Sequence, residues 1–187
     1  MSNRMAVFPV VLDSCVLFPA LIRDTLLRAA EAGLYRVHWS QQILDDTALN
    51  LVKRGKVRTE QAERLIKAMS DAFPDAMVEV PPALIEAMTN DTGDRHVVAA
   101  AVISHAMVIV TFNLKHFQQN DLQPWGVEAQ SPDIFLTHLY DLAPSSIINL
   151  IYSQATERQT PLTVIELLER LKKIVPQFVS KMEDDFV

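Results

Sequence analysis

The sequence predicts an α/β protein built on a central parallel sheet of four to five strands, followed by a helical C-terminal extension. Three observations predict it. Short apolar runs bounded by polar residues recur at 7–12 (VFPVVL), 35–39 (YRVHW), 77–80 and 107–111 (MVIVT), the pattern of buried strands. Stretches of helical period lie between them at 20–32, 41–54, 59–73 and 94–105, and alternating strand and helix patterns imply a parallel sheet with helices on both faces. After Pro132 the strand runs stop.

Taken in order, the opening run ends directly at Asp13, which places a carboxylate at the carboxyl end of a parallel strand, where ligands of open α/β folds collect. The helix at 94–105 opens with Asp94 and continues through small residues, so its backbone can press against the sheet. The run 107–111 ends in Thr111, Phe112 and Asn113. Beyond it, Ser131-Pro132-Asp133 reads as an N-cap, a proline at N1 and an acid at the positive end of a helix dipole. Thr163-Val164-Ile165-Glu166 has the form of a capping box. Pro144, Pro161 and Pro176 mark breaks in this tail. The domain reading is 1–130 for the α/β unit and 131–187 for a helical appendage packed on or beside it. No internal repeat and no low-complexity tract is present.

With 187 residues, 49% of them apolar and 21% charged, and only 4 glycines, the chain can bury one dominant core and has an ordinary soluble, helix-rich composition. The single cysteine, Cys15, excludes an intramolecular disulfide, a paired-thiol zinc site and a redox pair, and fits a reducing cytoplasm. The apolar run before Asp13 is too short for a secretory leader, and no segment approaches the roughly 20 apolar residues that cross a bilayer. A cytoplasmic protein with no membrane partner is expected. Net charge of −6 argues against coating nucleic acid by charge alone. A metal-dependent nuclease remains compatible, because a carboxylate-rich site is acidic until its cation arrives.

Each candidate residue has a structural reading beside the functional one. Asp13 could cap the next helix, Asp91 and Asp94 could answer a helix dipole, and Asn113 could be a turn residue. None of the 5 histidines shows a His-Glu-x-x-His spacing; His96 and His116 read as structural or phosphate-proximal. Cys15 reads as packing, and Trp39 and Trp125 as core residues.

Four segments together resemble the PIN domain, in its bacterial branch with a helical C-terminal extension: LDSCVLF at 12–18, SQQILDDTALNL at 40–51, DTGDRHVVAAA at 91–101 and TFNLKHF at 111–117. They occur in the family's order over roughly residues 7–135. The resemblance implies an α/β/α sandwich and a metal-dependent endoribonuclease that leaves a 5′-phosphate and a 3′-hydroxyl. It carries Asp13, Asp94 and Asn113 over directly, with Thr111 beside them and Asp91 as an outer acid. On the second helix the family places Glu, where this sequence offers Asp45 and Asp46. Asp46 is chosen because an apolar residue, Leu51, stands five positions beyond it, whereas Asn50 holds that place relative to Asp45. A helical wheel does not separate the two acids.

Carboxylates and an amide around one pocket make a hard oxygen cage suited to one or two Mg²⁺ or Mn²⁺ ions rather than zinc. RNA is the expected substrate. Thr111 and Lys115 are candidate substrate contacts, as are Lys53, Arg54, Lys56 and Arg58, which with Arg64 and Lys67 form the densest basic stretch of the chain; a solvated helical face is the plainer reading of any one of them. By resemblance the protein would be the toxin of a toxin-antitoxin pair, with an antitoxin covering the cleft and a homodimer as a further partner. Two other enzyme classes lack their residues. A haloacid-dehalogenase-like phosphatase wants an acid where Cys15 stands, and a signalling receiver wants an acid pair where Met5 and Ala6 stand. The remaining alternative is a catalytically degenerate PIN fold that binds RNA or protein without cutting.

Overall fold

The computed structural model describes residues 7–186. The first six residues of the predicted α/β unit and of the leader reading, with Val187, lie outside the described residues.

The chain runs β1 (Pro9–Leu12), α1 (Ser14–Leu17), α2 (Ala20–Glu31), β2 (Arg36–Ser40), α3 (Gln41–Lys53), α4 (Thr59–Ala72), β3 (Met77–Val78), α5 (Pro82–Ala87), α6 (Arg95–Ser104), β4 (Val108–Val110), α7 (Gln119–Leu122) and β5 (Glu128–Gln130). Four helices follow, α8 (Pro132–Leu142), α9 (Pro144–Thr156), α10 (Val164–Lys172) and α11 (Pro176–Met182). The strands form one 5-stranded sheet in the order β3-β2-β1-β4-β5. Every pairing is parallel, and helices flank the sheet in the α/β/α arrangement the sequence predicts. Val10, Val11 and Leu12 of the central strand are fully buried, which is why that strand reads as a continuous apolar run rather than an alternating one.

Local chemistry sets the element ends. Ser40 Oγ accepts from the Ile43 N–H at 3.3 Å and starts α3 at the end of β2. Gly33 follows α2 with φ +75°, a left-handed turn that an L side chain resists. α6 is apolar and small, with Val97, Val98, Ala99, Ala100 and Ala101 buried, so its backbone approaches β1, β2 and β4 closely.

Two predicted elements are shorter than expected: the 77–80 run contributes only Met77–Val78, and the 94–105 helix is Arg95–Ser104, with Asp94 in a preceding 3-10 turn, Thr92–Asp94. β5 is an edge strand whose residues Glu128 and Gln130 carry no apolar signal. The tail is helical as predicted. Ser131 Oγ accepts from Ile134 N–H at 3.3 Å with Pro132 at the first turn of α8, and Thr163 with Glu166 forms the capping box of α10, at 3.2 Å and 2.8 Å. Pro144 and Pro176 sit in the first turns of α9 and α11.

The tail shares the core of the sheet. α9 packs on α2, the Tyr35 and Phe135 rings meet edge to face at 5.1 Å, and the buried Gln154 accepts from the Thr25 hydroxyl at 3.0 Å. Trp39 is buried as expected. Trp125 is not: it lies on a 3-10 turn after Pro124 and is 38% exposed.

Candidate active site

β2 lies on one side of β1 and β4 on the other, so successive connections leave the central strand in opposite directions and open a crevice beyond the strand ends. Asp13 stands there. Its N–H donates to Val110 O at 3.1 Å, tying it to the end of β4, and it is 1% exposed. The Thr111 hydroxyl donates to Asp13 Oδ2 at 2.7 Å and accepts from the Asn113 N–H at 2.9 Å. The Cys15 thiol donates to the same Oδ2 at 3.1 Å, while its sulfur accepts the Phe112 N–H at 3.2 Å. Among the described residues, Oδ1 meets only the neighbouring Ser14 hydroxyl, at 3.3 Å. One oxygen is anchored twice and the other is left the freer donor.

Burial, reinforced by the charge of Asp13, pushes the Cys15 thiol up to about 12. Cys15 therefore stays protonated and acts as a hydrogen-bond donor, not a nucleophile. Its spacing from Asp13 was the only sequence signal for this contact, and it reads equally well as packing.

α3 buries Ile43, Leu44, Thr47 and Leu51 and thereby separates the two acids that its wheel left equivalent. Asp46 lines the cleft, whereas Asp45 is exposed and accepts from Gln41 Nε2 at 2.8 Å. Burial lifts the Asp46 carboxyl above the ordinary aspartate range; the charge of His96 opposes this, and those of Asp13, Asp45 and Asp94 add to it.

Asp94 enters from the turn before α6. Its Oδ2 lies 2.6 Å from His116 Nδ1. Burial raises its carboxyl too, against the hydrogen bond from His116 and with help from the charge of Asp13. Asp91 Oδ1 accepts the Gly93 N–H at 3.1 Å and lies 3.9 Å from His116 Nδ1. Asp91, Asp94 and His116 each offer a ligand atom within 4.8 Å of the others. The sequence marks His116 only as structural or phosphate-proximal, because its contact with Asp94 forms between separate turns.

Cys15, Asp46, Asp91, Asp94 and His116 line an open cleft of about 440 Å³ together with Asn113 and Arg54, and the buried Asp13 is not among its lining residues. Arg54 stacks over the Phe18 ring at 5.2 Å, which leaves its guanidinium at the rim. Lys53, Lys56, Arg58 and Lys115 are exposed and are not among the residues lining this cleft. Lys67 pairs instead with Asp71 at 2.6 Å. Thr111, considered as a substrate contact, is fully buried with its hydroxyl turned to Asp13.

Among the described residues, no lysine or arginine pairs with Asp13, Asp46, Asp91 or Asp94. Clustered carboxylates without a fixed counter-cation repel one another and favour a divalent ion. The donor set is hard oxygen with one imidazole nitrogen at its edge, which fits Mg²⁺ or Mn²⁺.

A parallel α/β/α sheet with buried and half-buried aspartates meeting at its switch point defines the class as an acidic-site α/β/α domain. The particular family follows from comparison: residues 9–115, more than half of the chain, match the PIN domain, and the chain belongs to that family. Residues 132–184 match the VapC50 C-terminal domain. The chain is 43% identical over 99 residues to a Mycobacterium tuberculosis (strain ATCC 25618 / H37Rv) protein named "Putative ribonuclease VapC50"; the alignment covers 52% of this chain and 59% of that relative. It thus spans less than two thirds of the relative's length. No solved structure gives a significant match.

Proposed function

We propose that the protein is a divalent-metal-dependent endoribonuclease that hydrolyses RNA phosphodiester bonds, and the toxin of a toxin-antitoxin pair acting in the cytoplasm. The observation that carries this reading is the meeting of Asp46 and Asp94 in one cleft, within reach of the charge of the buried Asp13, with no lysine or arginine among the described residues paired to any of the three. Similarity to a relative whose name includes ribonuclease supports the substrate class. On this reading residues 1–130 form the nuclease unit and 131–187 its appendage.

Asp13, Asp94 and Asp46 would hold Mg²⁺ or Mn²⁺, with Asp91 and Asn113 beside them. When bound, the ion lowers the pKa of a coordinated water and offsets charge on the scissile phosphate. The chain's own groups do the rest. Thr111 and Cys15 pin Asp13 in one orientation through Oδ2, so its less engaged Oδ1 is held in place with little further loss of side-chain entropy. Arg54, with its guanidinium over the Phe18 ring, offers a planar donor fork to a backbone phosphate at the rim. Lys53, Lys56, Arg58 and Lys115 extend that positive edge and steer the strand. An antitoxin would close the cleft with a charge-assisted contact to the same carboxylates, and a homodimer would widen the RNA surface.

The test is cleavage of RNA in Mn²⁺ by the wild-type protein and by Asp13→Asn, with and without EDTA. Cleavage is expected only for the wild type and only without chelator. Activity that survives both EDTA and the substitution overturns the proposal.

A further inference from the structure

We infer that His96 is a positioning residue for Asp46, fixing that carboxylate in the cleft from a site sealed against solvent. The inference rests on the nuclease reading of the cleft, and goes beyond it by giving a role to a histidine that lies behind the cleft wall.

His96 lies in the first turn of α6, two positions past Asp94, and is 3% exposed. Its Nε2 is fully buried and makes no hydrogen bond among the described residues. That atom lies 3.4 Å from Asp46 Oδ2. The separation is within ion-pair reach but short of a well-aligned hydrogen bond. A buried donor left without a partner is destabilising, and Asp46, the acceptor it faces, would relieve this. Catalytic contacts in unliganded sites are commonly long and tighten when the site fills. Both the imidazolium and the Nε2–H tautomer donate from this atom, so the contact does not depend on the charge of the ring.

Asp46 is half-buried on α3, and α3 packs against both β2 and α6. The His96 ring, fixed on α6 by the packing of Val97 to Ala101 against the sheet, is a rigid post behind the carboxylate. Partners of this kind orient the groups that hold a metal, and their loss commonly lowers metal affinity 10- to 100-fold.

Mn²⁺ binding measured calorimetrically on the full chain tests this, with melting temperature recorded for every variant. His96→Phe keeps the ring shape without a donor, and is expected to weaken Mn²⁺ binding by about 10- to 100-fold. His96→Gln places an amide N–H at the position of Nε2 and should recover affinity to within a few fold of wild type. In an Asp46→Asn background, His96→Phe should have no further effect, because the residue acts through Asp46. Wild-type affinity in His96→Phe, no recovery in His96→Gln, or a loss that adds in full to that of Asp46→Asn overturns the inference. A nitrogen-15 spectrum of the imidazoles supplies an arm independent of metal and RNA. Asp46→Asn should move the His96 Nε2 resonance, and an unmoved resonance overturns the contact even if the wild type neither binds Mn²⁺ nor cuts RNA, the outcome that would refute the nuclease reading instead.

Discussion

Replacing Thr111 by valine removes one hydroxyl and little else, since the two side chains are nearly the same shape. That hydroxyl makes a buried 2.7 Å bond to Asp13 Oδ2 and accepts the Asn113 N–H at 2.9 Å. Losing a hydrogen bond to a charged group costs about 1.5–3 kcal/mol, and leaving the Asn113 N–H without its partner adds about 1 kcal/mol or more. The Cys15 thiol still reaches Oδ2 at 3.1 Å, so Asp13 is not left wholly unpaired. The expected loss is about 2–4 kcal/mol. For a chain of this length that lowers the melting temperature by roughly 4–16 °C, at 2–4 °C per kcal/mol. Thr111→Ser keeps the hydroxyl and sacrifices one methyl, so it should melt within a few degrees of wild type. Differential scanning calorimetry without metal measures both. If Thr111→Val melts with the wild type, or no lower than Thr111→Ser, the hydroxyl is not what holds Asp13 and the account of the anchored oxygen is wrong.

The other predictions concern charge, metal and backbone. Burial, with neighbouring carboxylates, holds Asp46 and Asp94 above the ordinary aspartate range, so the folded protein keeps protons that the unfolded chain has already released. Their effect is therefore to lower stability as pH rises from the unfolded value of about 3.9 through the raised folded values, with the full cost present at neutral pH. Metal-free Asp46→Asn should melt above wild type at pH 7 and lose that advantage near pH 4, and a lower melting temperature at pH 7 would contradict the sign. Mn²⁺ at 100 times its dissociation constant should stabilise the wild type by about 2.7 kcal/mol, or roughly 5–11 °C, and leave Asp13→Asn unmoved; equal shifts in both would place the ion elsewhere. Asp133 reaches from α8 to accept the Gln177 and Phe178 N–H groups at 3.2 Å and 2.9 Å, capping α11, whose own N-cap Val175 has no side-chain acceptor. Asp133→Ala should cost about 2–4 kcal/mol in urea titration, and a change under 1 kcal/mol would show that the cap contributes little. His105 ends α6 with φ +56°, a conformation that costs an L residue about 1 kcal/mol, so His105→Gly should be neutral or stabilising in the same titration despite glycine's greater chain entropy.

Much of this architecture is visible in the chain because its strands are buried on both faces and its helices carry ordinary start signals. β1, β2 and β4 announce themselves as apolar runs, and Ser40, Ser131 and Thr163 cap the helices they precede. β5 escapes because an edge strand with Glu128 and Gln130 needs no apolar face, and Trp125 misleads because a large aromatic beside proline can lie on a turn as easily as in a core. Strand-end acids such as Asp13 are legible because the end of a parallel strand fixes where the next side chain goes.

The parts of the site that stay hidden share a different property: each depends on which way an element rolls once it is packed. Asp45 and Asp46 flank the same apolar stripe, and only the burial of Ile43, Leu44, Thr47 and Leu51 against neighbouring elements turns Asp46 to the cleft and Asp45 to water. Cys15 becomes a donor to Asp13 only because β4 delivers Thr111 and the Phe112 N–H to the other side of its sulfur. His96 and His116 meet acids on separate segments, which no spacing rule links. The acids that carry charge are thus set by the ends of regular elements, whereas the groups that orient them are set by packing between elements. Substitutions in the second set should disturb the site without touching a carboxylate.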